Sequence, residues 1–423
     1  MSRAAARAIA AELADQAIRA DGMAGWSGAT APPALGQPAP WCVFGGDYYE
    51  GSAGIARFLA WEAGDDAART LAAEAATHAL ARSEGWSLHS GLLGAGLVAR
   101  EVAVLLDVPA LWAAGTRACH DAVDAALADA RSGGVMTDLL AGLAGPLHAA
   151  ARLAVADPEQ WRAPALALGT ALAGLAQAAP AVPEGLAWPM HTADPQQLCG
   201  LAHGAAGVAL AFGDLARIDP DTPAWPALAA AARAFERGHF HAGAASWADL
   251  RGEVVAGLPD GAEPPCPHFW CHGSVGITWE RLGAHRALPA CPLVAADLAA
   301  GLFGARREAV RILAGPVGPG ASAAGNASQC HGLSGLIDLL LATGETGDRH
   351  LAERLGAFIR ADAERGGSGA APEWRCGLPG LEYSPGMMLG LAGIGWAQLQ
   401  LAGGDVPPAW TPASPLACRA GPA

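Results

Sequence analysis

The sequence predicts an all-α chain folded as a seven-repeat, double-layered α/α barrel, or toroid. Two observations carry that expectation. The pattern Gly-x-x-Gly followed by an apolar helical run occurs seven times, starting at Gly51, Gly91, Gly142, Gly204, Gly273, Gly332 and Gly390, with 40 to 69 residues between successive starts. Between these runs lie helical segments with charge on one face. A recurrence at tens of residues marks one supersecondary unit used repeatedly, with neighbouring units burying each other's apolar faces.

The runs Ile55 to Ala63, Ala95 to Leu106 and Val208 to Ala216 are built from Ala, Leu and Val with few β-branched stretches, and a helix apolar all round is a buried one. Asp66 to Ser83, Ala118 to Arg131 and His350 to Arg365 have the composition of outer, half-solvated helices. Glycines at i and i+3 let inner helices approach closely and let the preceding loop turn.

The 423 residues include 56 glycines and 31 prolines, too many for long uninterrupted elements, and 52% hydrophobic against 16% charged residues, which excludes wholesale disorder. A formal charge of −14 opposes nucleic-acid binding, which needs a basic surface. The charge-free stretch Ala163 to Pro183 has the length of a bilayer span, but its Ala, Gly, Thr170, Gln177 and prolines are too weakly apolar, so it reads as a buried helix and a loop. No secretory segment opens the chain. Nine scattered cysteines, an odd number, suggest reduced thiols and a cytoplasmic protein. Residues 1–40 read as one amphipathic helix and a Pro-rich connector, 41–402 as the barrel, and 403–423 as a loosely ordered tail.

Aligning the repeats exposes the candidate site. The residues just before each first glycine are Glu50, Ser90, Ala141, His203, His272, His331 and Leu389; one step earlier stand Tyr49, His89, Leu140, Ala202, Cys271, Cys330 and Met388. A closed ring would place Cys271 and Cys330 at one height on neighbouring inner helices. With His331 they form two sulfurs and a nitrogen, a soft set that suits Zn²⁺ with one position open. Cys42, Cys119, Cys199, Cys291 and Cys418 read as small hydrophobes. Cys119-His120 lacks the glycine pattern. Cys266, His268, Cys376, His239 and His241 lie outside the equivalent positions and read as incidental or supporting.

The segments Leu201-Ala-His-Gly-Ala-Ala-Gly207, Trp247-Ala-Asp-Leu-Arg251, Trp270-Cys-His-Gly273, Gln329-Cys-His-Gly332 and Pro385-Gly-Met-Met-Leu-Gly-Leu-Ala-Gly393 resemble the lanthionine synthetase C-like cyclases. The resemblance runs from about Trp41 to Ala402. It implies an α/α toroid with one zinc on Cys271, Cys330 and His331, and acid/base residues at His203 and Asp138; Asp138 alone would read as a helix cap. Many free-standing cyclases resemble Trp-Cys-Tyr-Gly with an arginine a few residues upstream. Here stand His272 and Cys266-Pro267-His268, a form more similar to the cyclase domain of bifunctional synthetases, and His272 either contacts substrate or orients its loop.

The implied reaction is Michael-type addition of peptide cysteine thiols to dehydroalanine or dehydrobutyrine, giving (methyl)lanthionine thioethers. The implied partners are a dehydrated precursor peptide with its leader and, since residues 1–40 offer no such domain, a separate dehydratase. The alternative is a related zinc protein that binds glutathione or another thiol, with a regulatory or thiol-adding role. A glycosidase-like toroid would need a second carboxylate facing Asp138, and the motifs supply none.

Overall fold

The computed structural model describes residues 1–32, 37–179, 182–259, 261–315, 325–366, 372–380 and 382–419. Part of the expected connector (33–36), positions 180–181 of the charge-free stretch and the last four residues of the expected tail lie outside these. Fifteen helices occur among the described residues: α1 (Ser2–Asp15), α2 (Ser52–Glu62), α3 (Asp66–Arg82), α4 (Leu92–Leu106), α5 (Pro109–Ser132), α6 (Ala144–Ala156), α7 (Pro158–Ala173), α8 (Ala205–Ile218), α9 (Ala224–Arg237), α10 (Gly252–Val255), α11 (Ser274–Ala287), α12 (Pro292–Ala314), α13 (Leu333–Ala342), α14 (Thr346–Gly366) and α15 (Leu391–Leu401). None is long and apolar enough to cross a membrane.

Helices α2, α4, α6, α8, α11, α13 and α15 form the inner layer, each following one glycine pair and each almost wholly buried. The helix after each inner one packs outside it, and α1 packs on α15 as the seventh outer helix. The N-terminal helix is thus part of the barrel, although the sequence separates it from its neighbour by the whole ring. Among the described residues, five two-stranded antiparallel pairs decorate the loops. Their strands of two to four residues are too short to leave an alternating pattern in the sequence.

Closure is visible in the backbone. The amide of Tyr49 donates to the His89 carbonyl, His89 to Leu140, Leu140 to Ala202, Ala202 to Cys271, Cys271 to Cys330, Cys330 to Met388, and Met388 back to Tyr49, at 2.8–3.3 Å. One residue per repeat therefore contributes to a circular chain of seven peptide hydrogen bonds. The first amide of each inner helix is bonded to the carbonyl seven residues earlier, from Ser52 to Gly45 through Leu391 to Ser384. These loop-closing bonds replace side-chain caps, which the inner helices lack.

The second glycines make the ring tight. A methyl group at Gly276 would collide with the Trp270 carbonyl and stand 2.8 Å from Leu201 Cβ in the preceding repeat. Gly145 against Leu88, Gly207 against Leu139 and Gly54 against Met387 repeat that contact around the circle.

The tail departs from expectation. Ala409, Trp410, Thr411, Ala413, Ser414, Ala417 and Cys418 are buried. The tail's carbonyls accept hydrogen bonds from inner-helix arginines: Pro408 from Arg57, Ala413 from Arg152, and Ala417 and Arg419 from Arg100. These bonds add to the partners that Arg57 has in Glu101 and Tyr48 and that Arg100 has in Thr116. A cavity of about 940 Å³ lies beside it, lined by His148, Asp214, Trp279 and Trp410, away from the candidate site.

Gly276→Ala is expected to lower unfolding free energy by about 1–3 kcal/mol through overpacking. Gly283→Ala, where an added methyl meets nothing within 4 Å in the same helix, should be neutral or stabilise by about 0.4–1 kcal/mol. Urea denaturation of the pair checks the assignment of glycines to ring contacts.

Candidate metal centre

The peptide ring fixes two cysteines side by side, because Cys271 donates its amide directly to the Cys330 carbonyl. One ligand atom from each of Cys271, Cys330 and His331 lies within 4.8 Å of the others. A shared zinc at 2.0–2.3 Å from each donor requires tetrahedral ligands roughly 3.5 Å apart, and a set this close meets that with small rotamer adjustments. His331 Nε2 is 3.0 Å from the Gly377 carbonyl. That contact commits the Nε2–H as donor and leaves Nδ1 with a free lone pair.

The two thiols share a hydrogen bond that pulls Cys330 below its ordinary pKa against the opposing effect of burial, with a second bond from Tyr49 adding to the pull. The same bond, with burial, pushes Cys271 well up. A site in which one sulfur is already biased toward thiolate suits a soft cation.

His203 stands on the loop entering α8, and its Nδ1 is 2.8 Å from Asp138 Oδ2. Asp138 Oδ1 accepts from the Ala141 and Gly142 amides at 2.7 and 2.9 Å. The carboxylate therefore both closes its own loop and holds the imidazole. Burial alone would lower His203, but the Asp138 charge and hydrogen bond outweigh it and raise the imidazole above its ordinary pKa, with Cys271 adding to the effect.

His272 is buried, with Nδ1 3.3 Å from the Cys199 carbonyl and its ring stacked on His203 at 5.9 Å. Burial, then the nearby Arg251 charge, pushes it down to about 4, so it is neutral near pH 7.

The structure also assembles residues that sequence reasoning did not single out. The Tyr49 hydroxyl is 2.9 Å from Cys330 Sγ, and burial followed by the neighbouring sulfurs pushes the phenol well above its ordinary pKa. Its signal was its place in the column occupied by the two cysteines. Arg251 pairs with Asp249 at 2.7 Å, and its charge bears on Cys271, Cys330, His203 and His272. It lies in the Trp247–Arg251 segment.

Other candidates fall outside the cluster. His268 bonds Ser274 at 2.7 Å, Cys266 approaches Pro264 O, Cys376 approaches the Trp374 and Ser384 carbonyls, His241 faces Glu263, and His239 packs on Phe235. Cys119 is buried inside α5 while His120 stacks on Trp161.

Among solved structures, a nisin cyclase matches with a TM-score of 0.58 at 16% identity, covering 88% of this chain and 92% of that one. An alpha-1,6-mannanase from Salegentibacter sp. HEL1_6 matches with a TM-score of 0.47 at 10% identity, covering 95% of this chain and 98% of that one. No curated protein matches the sequence. The family model described as lanthionine synthetase C-like protein matches residues 43–411, and the chain belongs to that family.

Proposed function

We propose that this protein is a zinc-dependent lanthipeptide cyclase, closing (methyl)lanthionine rings by addition of peptide cysteine thiols to dehydroalanine or dehydrobutyrine. The observation that carries the reading is the convergence of Cys271, Cys330 and His331, whose ligand atoms lie within 4.8 Å of one another. Family membership and the likeness in fold to a nisin cyclase support it. Three protein donors leave one tetrahedral position for substrate. Zinc bound there would hold a peptide thiol as thiolate at neutral pH, where a free thiol of pKa about 8.5 is only a few per cent ionised.

The remaining work falls to the chain's own groups. As sulfur adds to the β-carbon of the dehydro residue, its electron pair forms the C–S bond and the double-bond electrons move toward the carbonyl as an enolate. The α-carbon then takes a proton. His203 supplies it from Nε2, since Nδ1 is held by Asp138. The imidazole, left neutral, regains a proton released by the next thiol. His272, uncharged and packed on the His203 ring, restricts its rotation. Arg251 contributes positive field where the enolate charge develops. The dehydro residues come from an earlier dehydration step performed by another enzyme.

Purified wild type is expected to hold one zinc per chain, lost in Cys271→Ala and in Cys330→Ala; metal analysis checks this. Incubation with a dehydrated cysteine-containing peptide should consume peptide thiols without consuming added glutathione. Consumption of glutathione instead would point to the thiol-adding alternative.

His203→Ala should keep its zinc and slow cyclisation by about 10²–10⁴-fold. His203 acts as an acid only when protonated, so activity should fall as pH rises through its raised pKa. Asp138→Asn removes the charge that raises it and should move that alkaline limb to lower pH. The His203 contribution to stability follows the same direction: fully present below the unfolded value of about 6.5, and lost as pH rises through the folded one. Rate profiles and NMR titration of His203 in both proteins measure the shift.

A further inference from the structure

We propose that Tyr49 is a positioning residue of the metal centre, whose hydroxyl, donated to Cys330 Sγ, keeps that sulfur a ligand and prevents it from competing as a nucleophile. The inference rests on the metal reading above.

A cyclase of this type faces a problem of selectivity. Substrate thiolate and two protein thiolates would surround one cation while an electrophilic alkene is brought to them. Addition of Cys330 sulfur to the alkene's β-carbon, with a proton going to the α-carbon, would leave a protein–peptide thioether and destroy the site. A hydrogen bond to a thiolate withdraws electron density from it, lowering its basicity and its nucleophilicity together. The O–H···S contact of 2.9 Å places such a donor on Cys330.

The aim of that donor is set by the backbone. Tyr49 gives its amide to the His89 carbonyl and receives the Met388 amide on its own carbonyl, while Met388 receives the Cys330 amide. Only Met388 separates Tyr49 from Cys330 around the peptide ring, although 281 residues separate them along the chain. Glu50, the next residue, is itself tied by its side chain to Thr30 at 2.7 Å and by its amide to Asp47 at 2.9 Å. The tyrosine is therefore held from both sides, and a phenylalanine in its place keeps every backbone bond while removing the hydroxyl donor.

Three readouts test the role with Tyr49→Phe. Zinc affinity, measured by chelator competition, should fall about 10–100-fold, the usual cost of losing a partner to a metal ligand. In cobalt-substituted protein the thiolate-to-cobalt charge-transfer band should move to longer wavelength, because an unbonded sulfur is easier to oxidise. Alkylation by iodoacetamide, located by mass spectrometry, should shift toward Cys330 relative to Cys271. A fluorinated tyrosine at position 49, which keeps the ring and is a stronger donor, should move the cobalt band the opposite way and so covers a misfolded phenylalanine variant. Wild-type values in all three readouts, or no opposite shift with the fluorinated residue, overturn the proposal. Wild type without zinc would instead remove the metal reading, and the alkylation ratio of the metal-free thiols would still report on the Tyr49 bond.

Discussion

Seven peptide hydrogen bonds, one for each repeat, hold the centre of this molecule together. They join residues that have no proximity in the chain, and the loss of one leaves an amide and a carbonyl without their partner. The second glycines serve that circle by letting each inner helix lie against the side chain of its neighbour's loop without a Cβ between them. The Cys/His cluster is a consequence of the same geometry: Cys271 and Cys330 are adjacent members of the ring, and His331 follows one of them.

Because the ring makes equivalent positions in sequence equivalent in space, much of the site could be read before the coordinates. Columns aligned on the glycines place Cys271, Cys330 and His331 at one level, and His203 in the same column as His331. The partnership of Asp138 with His203 was reachable only through family resemblance, since an aspartate ahead of a helix reads first as a cap. In fact it closes the loop ahead of α6 with one oxygen and holds the imidazole with the other. Tyr49 stood in the cysteine column, but a phenol differs from a thiol in reach, and nothing in a one-dimensional pattern says that its hydroxyl crosses the next member of the ring to touch the one beyond.

What the pattern missed has a common cause, which is contact between the two ends of the chain. α1 completes the outer layer beside α15, and the tail fills the lower end of the barrel, with Tyr48 donating to the Ala409 carbonyl and Asp338 accepting the Ala409 amide. A Pro- and Gly-rich composition normally signals loose structure. Here backbone carbonyls of such a segment join Glu101 and Thr116 as partners of Arg57 and Arg100, and also receive Arg152. His89, itself a ring member, gives its remaining contact to the Trp410 carbonyl at 2.6 Å.

The position of Met388 in the circle sets an order for biosynthesis. Tyr49 leaves the ribosome long before Met388, which bridges it to Cys330, and the segment around Trp410 that seals the lower end emerges later still. Until then the circle is open, and Cys330 and Tyr49 lack the residue that links them. Completion of the circle therefore belongs to a late moment, after translation has passed the seventh repeat.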